Sequence, residues 1–435
     1  MGSALAPDAP DTGPDKPPRP PRWYRRHRKL LIWTSASLAL LLVAVTSTGY
    51  LVLRHFNANL EQDNITGLLG SQPVDTHPQA ENILVLGSDS RDGLSKAYGS
   101  GLVTDQSDTL MIIHIPAGRQ WAEVMSIPRD SYVNIPSCEM GDGQLSAPTQ
   151  YKINEAFAIG NLDGNHTSLG IACTVKTVEQ DTGIYIDHFI VANFTGFENM
   201  VSALGGVEEC NPTPINDPNS GLQLPAGTHL LTPAEALGYV RARYSLGDGS
   251  DLERIDRQQA FMSSVISRVK SKLLDPLAIY RFLDAATRSL TIDSQLGGIT
   301  GLYDLGESLR GIPSDKIAFF TIPNYPRSEV VPSDTANVLW AQPEDDKIFA
   351  SFRADVPASS SLFGTSATSS APLSAGSKRL AAPAATGSGP ATATPSATPS
   401  AVPSAVPSAS LAAGGTSPGN ASLQARTANQ SICAG

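Results

Sequence analysis

The chain has 435 residues and a formal net charge of −10, a balance that argues against a nucleic-acid backbone as partner. Both ends are rich in Pro, Ala, Ser and Gly and cannot bury much apolar surface, which leaves roughly residues 80–353 to form a core. The four cysteines, Cys138, Cys173, Cys210 and Cys433, have neither CxxC nor Cys/His zinc spacing. Their even number is compatible with two disulfides outside the cytoplasm.

Residues 1–29 read as a disordered arm ending in a basic block of Arg22, Arg25, Arg26, Arg28 and Lys29. From Leu30 to Leu53 the chain carries no charge and is long enough to cross a bilayer as a helix. The run exceeds a usual signal-peptide h-region and lacks a clean cleavage site. The basic block places the N-terminus in the cytoplasm and the rest outside, the organisation of a single-pass type II signal-anchored protein. Residues 54–80 read as a polar stalk. NILVLG, from Asn82, is a buried-strand pattern closing on Gly87, with Asp89 and Arg91 in the turn behind it. An acidic and a basic residue there mark either the working edge of an α/β sheet or a helix cap. Residues 93–106 read as a flexible loop.

The runs Leu110–Ile115 and Trp121–Ile127 flank a Pro-Ala-Gly turn, the pattern of a hairpin. Antiparallel pairing would bring Asp108, at the start of the first strand, beside Arg129 and Asp130, which leave the second. The result is either the start of a metal–phosphate site or a surface hairpin closed by a salt bridge. Helix patterns follow from Glu155 and over Leu169–Thr182 and Thr195–Leu204, with strands at Ile186–Val191 and Val207–Cys210. This alternation indicates an α/β fold. Thr232-Pro233-Ala234-Glu235 starts a helix as N-cap, N1 proline and capping glutamate. The helix leads into Arg241 and Arg243, which share one face if that segment is extended. A long amphipathic helix over Leu252–Leu273 stacks Arg254 and Gln258 four apart. Guanidiniums in such number meet a polyanion or are neutralised by Asp248, Asp251, Glu253 and Asp256. Arginine suits phosphate because its planar fork donates paired hydrogen bonds. Asp89 and Asp108 beside these arginines would hold Mg²⁺ through carboxylates and substrate phosphates.

NILVLGSDSR, SDTLMIIHI, VMSIPRDSYVNIP, KINEAFAIGN, FTGFENMVSALGGVE, LPAGTHLLTPAEALGYVRARY and RIDRQQAF, in this order over residues 82–273, resemble the motif series of the LytR-CpsA-Psr family. The resemblance implies a central mixed β-sheet flanked by helices and enclosing an apolar groove for a polyprenyl chain. It also implies a phosphotransferase that takes an anionic glycopolymer from a polyprenyl-pyrophosphate carrier to a muramic-acid hydroxyl of peptidoglycan. The alternative is a lipid-binding regulator of envelope gene expression without turnover; with water as acceptor the same site would be a pyrophosphatase. By motif position, Asp89 and Asp108 correspond to the Mg²⁺ ligands. Arg91, Arg129, Lys152, Arg241, Arg243, Arg254 and Gln258 correspond to the pyrophosphate-binding set, and Asp130 to a brace or base beside Arg129. The sequence departs from the family at Ser131–Ile135, neutral where another basic residue often stands. The cysteines and the Ala/Ser/Pro-rich tail resemble the actinobacterial branch, which implies Cys138–Cys173 and Cys210–Cys433 disulfides. The implied organisation is a catalytic domain over 81–275, its extension over 276–354 and a low-complexity, disordered tail over 355–435.

Overall fold

The structure is a computed structural model and describes residues 22–88, 106–141, 143–162, 164, 166–243, 251–272, 275–360, 425–430 and 433. Its centre is a mixed sheet of eight strands: β1 (Glu61–Asp63), β2 (Glu81–Ser88), β3 (Ser107–Ile115), β4 (Ala122–Ser126), β5 (His188–Asn193), β6 (Leu290–Asp293), β7 (Ile317–Thr321) and β8 (Ala425–Thr427). Their spatial order is β1-β6-β5-β2-β3-β4-β7-β8. Strand β2 runs parallel to β5 and antiparallel to β3, and β4 runs parallel to β7. The ends of β2, β4, β5 and β7 and the start of β3 therefore share one edge.

Alternation along β2 assigns the two faces. Leu84 and Leu86 join a core under helix α2 (Thr167–Thr182), while Ile83 and Val85 join a second core with Met111, Val124 and Phe319. Burying one such side chain contributes about 1.5–3 kcal/mol. Helix α2 carries Cys173, bonded to Cys138 with Cα atoms 5.4 Å apart. The hairpin forms as its two apolar runs and turn predict, with Met111 opposite Ser126 and His114 opposite Glu123.

Beyond β5 come α3 (Phe194–Ala203), α4 (Pro233–Arg241) and α5 (Asp251–Lys272). The capping box of α4 is realised: the Thr232 side chain accepts from Glu235 N–H, and Thr232 N–H donates to Glu235 Oε2 at 2.9 Å. The helix runs through Arg241, so the extended 241–243 pairing does not form. Arg241 sits in the last turn, and Arg243 lies beyond the helix.

Three expectations need correction. The basic block is helical: α1 (Arg22–Asn59) begins at Arg22 and continues through the apolar run, since arginine and lysine are good helix formers. Residues 54–80 are not a stalk; Phe56, Leu60, Ile65 and Leu69 are buried, and β1 pairs with β6. Two i,i+4 apolar pairs, 56/60 and 65/69, carry that packing. Residues 276–354 extend the globular region by contributing β6 and β7 to the central sheet. The chain beyond Pro357 is not all tail. Ala358 and Ser359 N–H donate to Glu123 at 3.0 and 2.8 Å. Residues 425–427 add the edge strand β8, and Cys433 bonds Cys210. The rest of the expected disordered tail (361–424), the loop over 93–105, and residues 1–21 of the arm lie outside the described residues.

Candidate active site

A cavity of about 290 Å³ opens at the shared edge of the sheet. Its wall comprises Gly87 at the end of β2, Asp108 and Thr109 at the start of β3, Ala192 and Asn193 at the end of β5, and Arg254 and Gln258 on α5. Its lining is divided. Phe194, Phe197, Leu237, Val240, Phe261 and Met262 make an apolar trough, while Asp108, Arg129, Arg241, Arg243 and Arg254 make a charged end.

Hairpin pairing delivers the first contact of that end: Arg129 Nη1 donates to Asp108 Oδ1. Arg129 Nε also lies 3.7 Å from Asp251 Oδ1 and 3.9 Å from Asp130 Oδ2. Asp251 stands in the first turn of α5, where a carboxylate complements the helix dipole, and lies 2.5 Å from Arg254 Nη2. Arg254 in turn donates to the Asp108 backbone carbonyl at 3.2 Å. Helix α5 is held to the sheet by buried Gln259, whose Nε2 donates to Ser126 Oγ at 3.0 Å and Thr321 Oγ1 at 3.1 Å. Gln258 Nε2 donates to the Val240 carbonyl at 3.2 Å, and the Arg241 guanidinium stacks 4.7 Å above the Phe194 ring.

Asp130 and Lys152 are not on the cavity wall. Asp130 is a buried hub behind it, 2.5 Å from Lys152 Nζ and 3.7 Å from Arg243 Nη2. One carboxylate thus fixes Arg129, Arg243 and Lys152, the geometry of a brace. Asp217 was not legible as a site residue. It is buried, lines the cavity, and accepts Arg243 N–H at 2.7 Å and Asn219 N–H at 2.9 Å. Its only signal is the Asp-Pro-Asn turn sequence. The aromatic lining was missed as well, because its members come from separate helices.

Burial pulls the Arg129 guanidinium down, but Asp108, Asp251 and Asp130 outweigh it and raise its pKa above the ordinary value. Arg254 goes the other way: burial, only partly offset by Asp251, lowers it. Both stay protonated at neutral pH, since arginine begins so high. Arg129 Nε and Arg254 Nε are buried donors with no hydrogen-bond partner among the described residues. Their charges are balanced while hydrogen-bonding capacity is left over. Such an end suits a phosphate-bearing ligand, which accepts forked donation.

Among the described residues no three His, Cys, Asp or Glu side chains form a metal cage. Half-buried Asp108 still fits a hard cation taken through one or two carboxylates and substrate phosphates, since it faces the cavity and shares one oxygen with Arg129. Asp89 and Arg91 lie outside the described residues; Ser88, immediately before Asp89, pairs with Ser107.

Residues 52–350 match the model of the LytR_cpsA_psr family. The chain is 31% identical over 313 residues to the cell wall biosynthesis protein LcpA of Corynebacterium glutamicum, covering 66% of this chain and 58% of that one. It thus spans under three fifths of that relative's length. It is 30% identical over 308 residues to the polyisoprenyl-teichoic acid–peptidoglycan teichoic acid transferase TagT of Bacillus subtilis, covering 67% of this chain and 86% of TagT. The fold is shared with the solved LytR-Csp2A-Psr enzyme from Actinomyces oris, at a TM-score of 0.50 and 22% identity over 69% of this chain and 97% of that one.

Proposed function

The chain belongs to the LytR-CpsA-Psr family, and from that premise we propose that it is a membrane-anchored phosphotransferase. It would move an anionic glycopolymer from a polyprenyl-pyrophosphate carrier to a peptidoglycan hydroxyl, with α1 crossing the membrane and the sheet domain outside. The observation that carries this reading is the division of one cavity into an apolar trough and an arginine-rich end. That division is complementary to a donor with a hydrocarbon tail and a pyrophosphate head. The names of LcpA and TagT support the cell-wall assignment.

In the proposed reaction the acceptor hydroxyl oxygen attacks the phosphorus next to the glycopolymer. The new P–O bond forms as the bond to the bridging oxygen breaks. The carrier leaves as its monophosphate with the electron pair, and the hydroxyl proton passes to solvent. Arg129 and Arg254, at the charged end of the cavity, would stabilise the charge that grows on the bridging oxygen, where preorganised donors act most. Arg241 and Arg243 orient the head group, and Asp130 holds Arg129, Arg243 and Lys152 in place. Asp108 and Asp89 would hold Mg²⁺, which when bound would neutralise phosphate charge. With no glycan acceptor, water entering the same position would give slow pyrophosphate hydrolysis.

The test is transfer of a labelled glycan from a synthetic polyprenyl-pyrophosphate donor to peptidoglycan by the full-length protein in nanodiscs, with and without Mg²⁺. Label recovered in peptidoglycan through a phosphodiester supports the reading. Donor that binds but stays intact would instead favour a lipid-sensing regulator.

A further inference from the structure

Helix α1 leaves its charge-free run at Leu53 and engages the domain almost at once. His55 Nε2 lies 2.8 Å from Asp284 Oδ1 on α6 (Pro276–Thr287), and the Phe56 ring packs against Tyr280 of α6 with centroids 5.3 Å apart. Asn57 Oδ1 accepts Ile299 N–H from α7 (Gly298–Gly311) at 3.0 Å. That approach requires glycine at 298, which has φ +67 and where a Cβ would stand 2.6 Å from Asn57 Oδ1. Asn59 Nδ2 donates to Asp284 at 3.3 Å. At 1.5 Å per residue these contacts fall within about 9 Å of the end of the apolar run, comparable with the thickness of a headgroup layer. No spacer holds the domain away from the bilayer.

The outward surface of α6 fits that position. Leu277 and Tyr280, three residues apart on one face, are 57% and 40% exposed, and Tyr303 of α7 is 58% exposed. Arg281 is exposed on the same helix, and Arg288 is exposed at its C-cap, 3.3 Å from Asp284. Tyrosine is favoured at headgroup depth, arginine pairs with lipid phosphates, and leucine gains by entering the acyl boundary. The inner surface of α6 faces the site: Phe282 packs in the cluster that contains Phe197 and Phe261, both of which line the cavity.

We propose that α6 is an interfacial helix whose partner is the lipid bilayer crossed by α1, with Leu277, Tyr280 and Tyr303 seated in the leaflet on the domain's side. Its opposite face is the packing layer behind the apolar trough, so the trough stands one helix away from the lipid. This rests on the membrane-spanning reading of α1 and deepens the proposed function by fixing where a lipid-tailed donor enters.

The test uses the full chain in nanodiscs. Because the native cysteines are disulfide-bonded, single fluorophores can be placed through Leu277→Cys, Tyr280→Cys and Tyr303→Cys. Controls are Tyr151→Cys and Leu230→Cys, at positions 49% and 55% exposed away from α6. Lipids brominated on their acyl chains should quench labels at 277, 280 and 303 several-fold more than at 151 and 230. Equal quenching at all five positions overturns the proposal. Shielding from aqueous iodide without bromolipid quenching also overturns it, because it identifies a protein surface as the partner. The readout needs no turnover, so it fails or holds separately from the transferase reading.

Discussion

Two ionic clusters of similar composition meet along helix α5. On its cavity side stand Asp108, Arg129, Asp130, Asp251 and Arg254. In the second, Glu209 next to Cys210, Tyr239 of α4, exposed Asp256 and buried Arg257 of α5, and Arg426 of β8 act on one another electrostatically. In both, opposite charges sit close enough to repay part of their desolvation. The difference lies in where the guanidiniums point. Arg129 and Arg254 reach the wall of an open cavity. Arg257, by contrast, spends its fork on the Ala242 carbonyl, and Arg426 acts electrostatically on Asp256 and Glu209 away from the cavity wall. Buried arginine–carboxylate clusters are therefore not by themselves a functional sign; access to a cavity of matching chemistry is.

Arg254→Ala should separate the clusters most sharply. It removes a phosphate-facing fork and strands buried Asp251, so transfer should fall by about 10²–10³-fold. Stability should drop by about 3–5 kcal/mol, read by donor turnover and by urea unfolding. Unchanged turnover would show that the cavity cluster is as structural as the other one. Asp130→Asn keeps the shape of the brace and loosens three cations. We expect a loss of about 10–100-fold, the scale of displaced supporting contacts, with the pH–rate profile keeping its shape. Disappearance of the acidic limb would make Asp130 a base.

In the second cluster, Arg426→Ala should cost about 1–3 kcal/mol, because it leaves buried Glu209 short of a partner. Turnover per folded molecule should not change. The smallest effect is a pH slope. Burial raises the Glu209 pKa from 4.5 to about 7, against a weaker lowering by the Ser264 hydrogen bond and Arg426. Between those values the folded protein binds more protons than the unfolded chain, so this residue makes stability fall as pH rises. Glu209→Gln should remove that part of the slope and raise the melting temperature above pH 7. An unaltered pH dependence of melting would rule the assignment out.

The cavity cluster was largely legible and the other was not, for physical reasons. Asp108 and Arg129 meet because two apolar runs pair antiparallel across the Pro-Ala-Gly turn, and Arg254 and Gln258 share a wall because helices place i and i+4 together. Asp251 was visible only as a counter-ion, a role it does fill. Arg241 and Arg243 misled, because the capping box at Thr232 starts a helix strong enough to carry through Arg241. The trough escaped because Phe194, Phe197, Phe261 and Met262 form no pattern until α3 and α5 meet. The second cluster escaped because Arg426 arrives on a three-residue strand behind a low-complexity stretch.

The return of the chain as β8 and its bond through Cys433 change what residues 361–424 can be mechanically. The chain leaves the described domain at Ser360 and rejoins it at Ala425, so covalent continuity and the Cys210–Cys433 bond hold both ends of that segment. A single proteolytic cut within it would therefore release no fragment. Cutting together with reduction would free β8 from the sheet edge and Arg426 from its place behind α5.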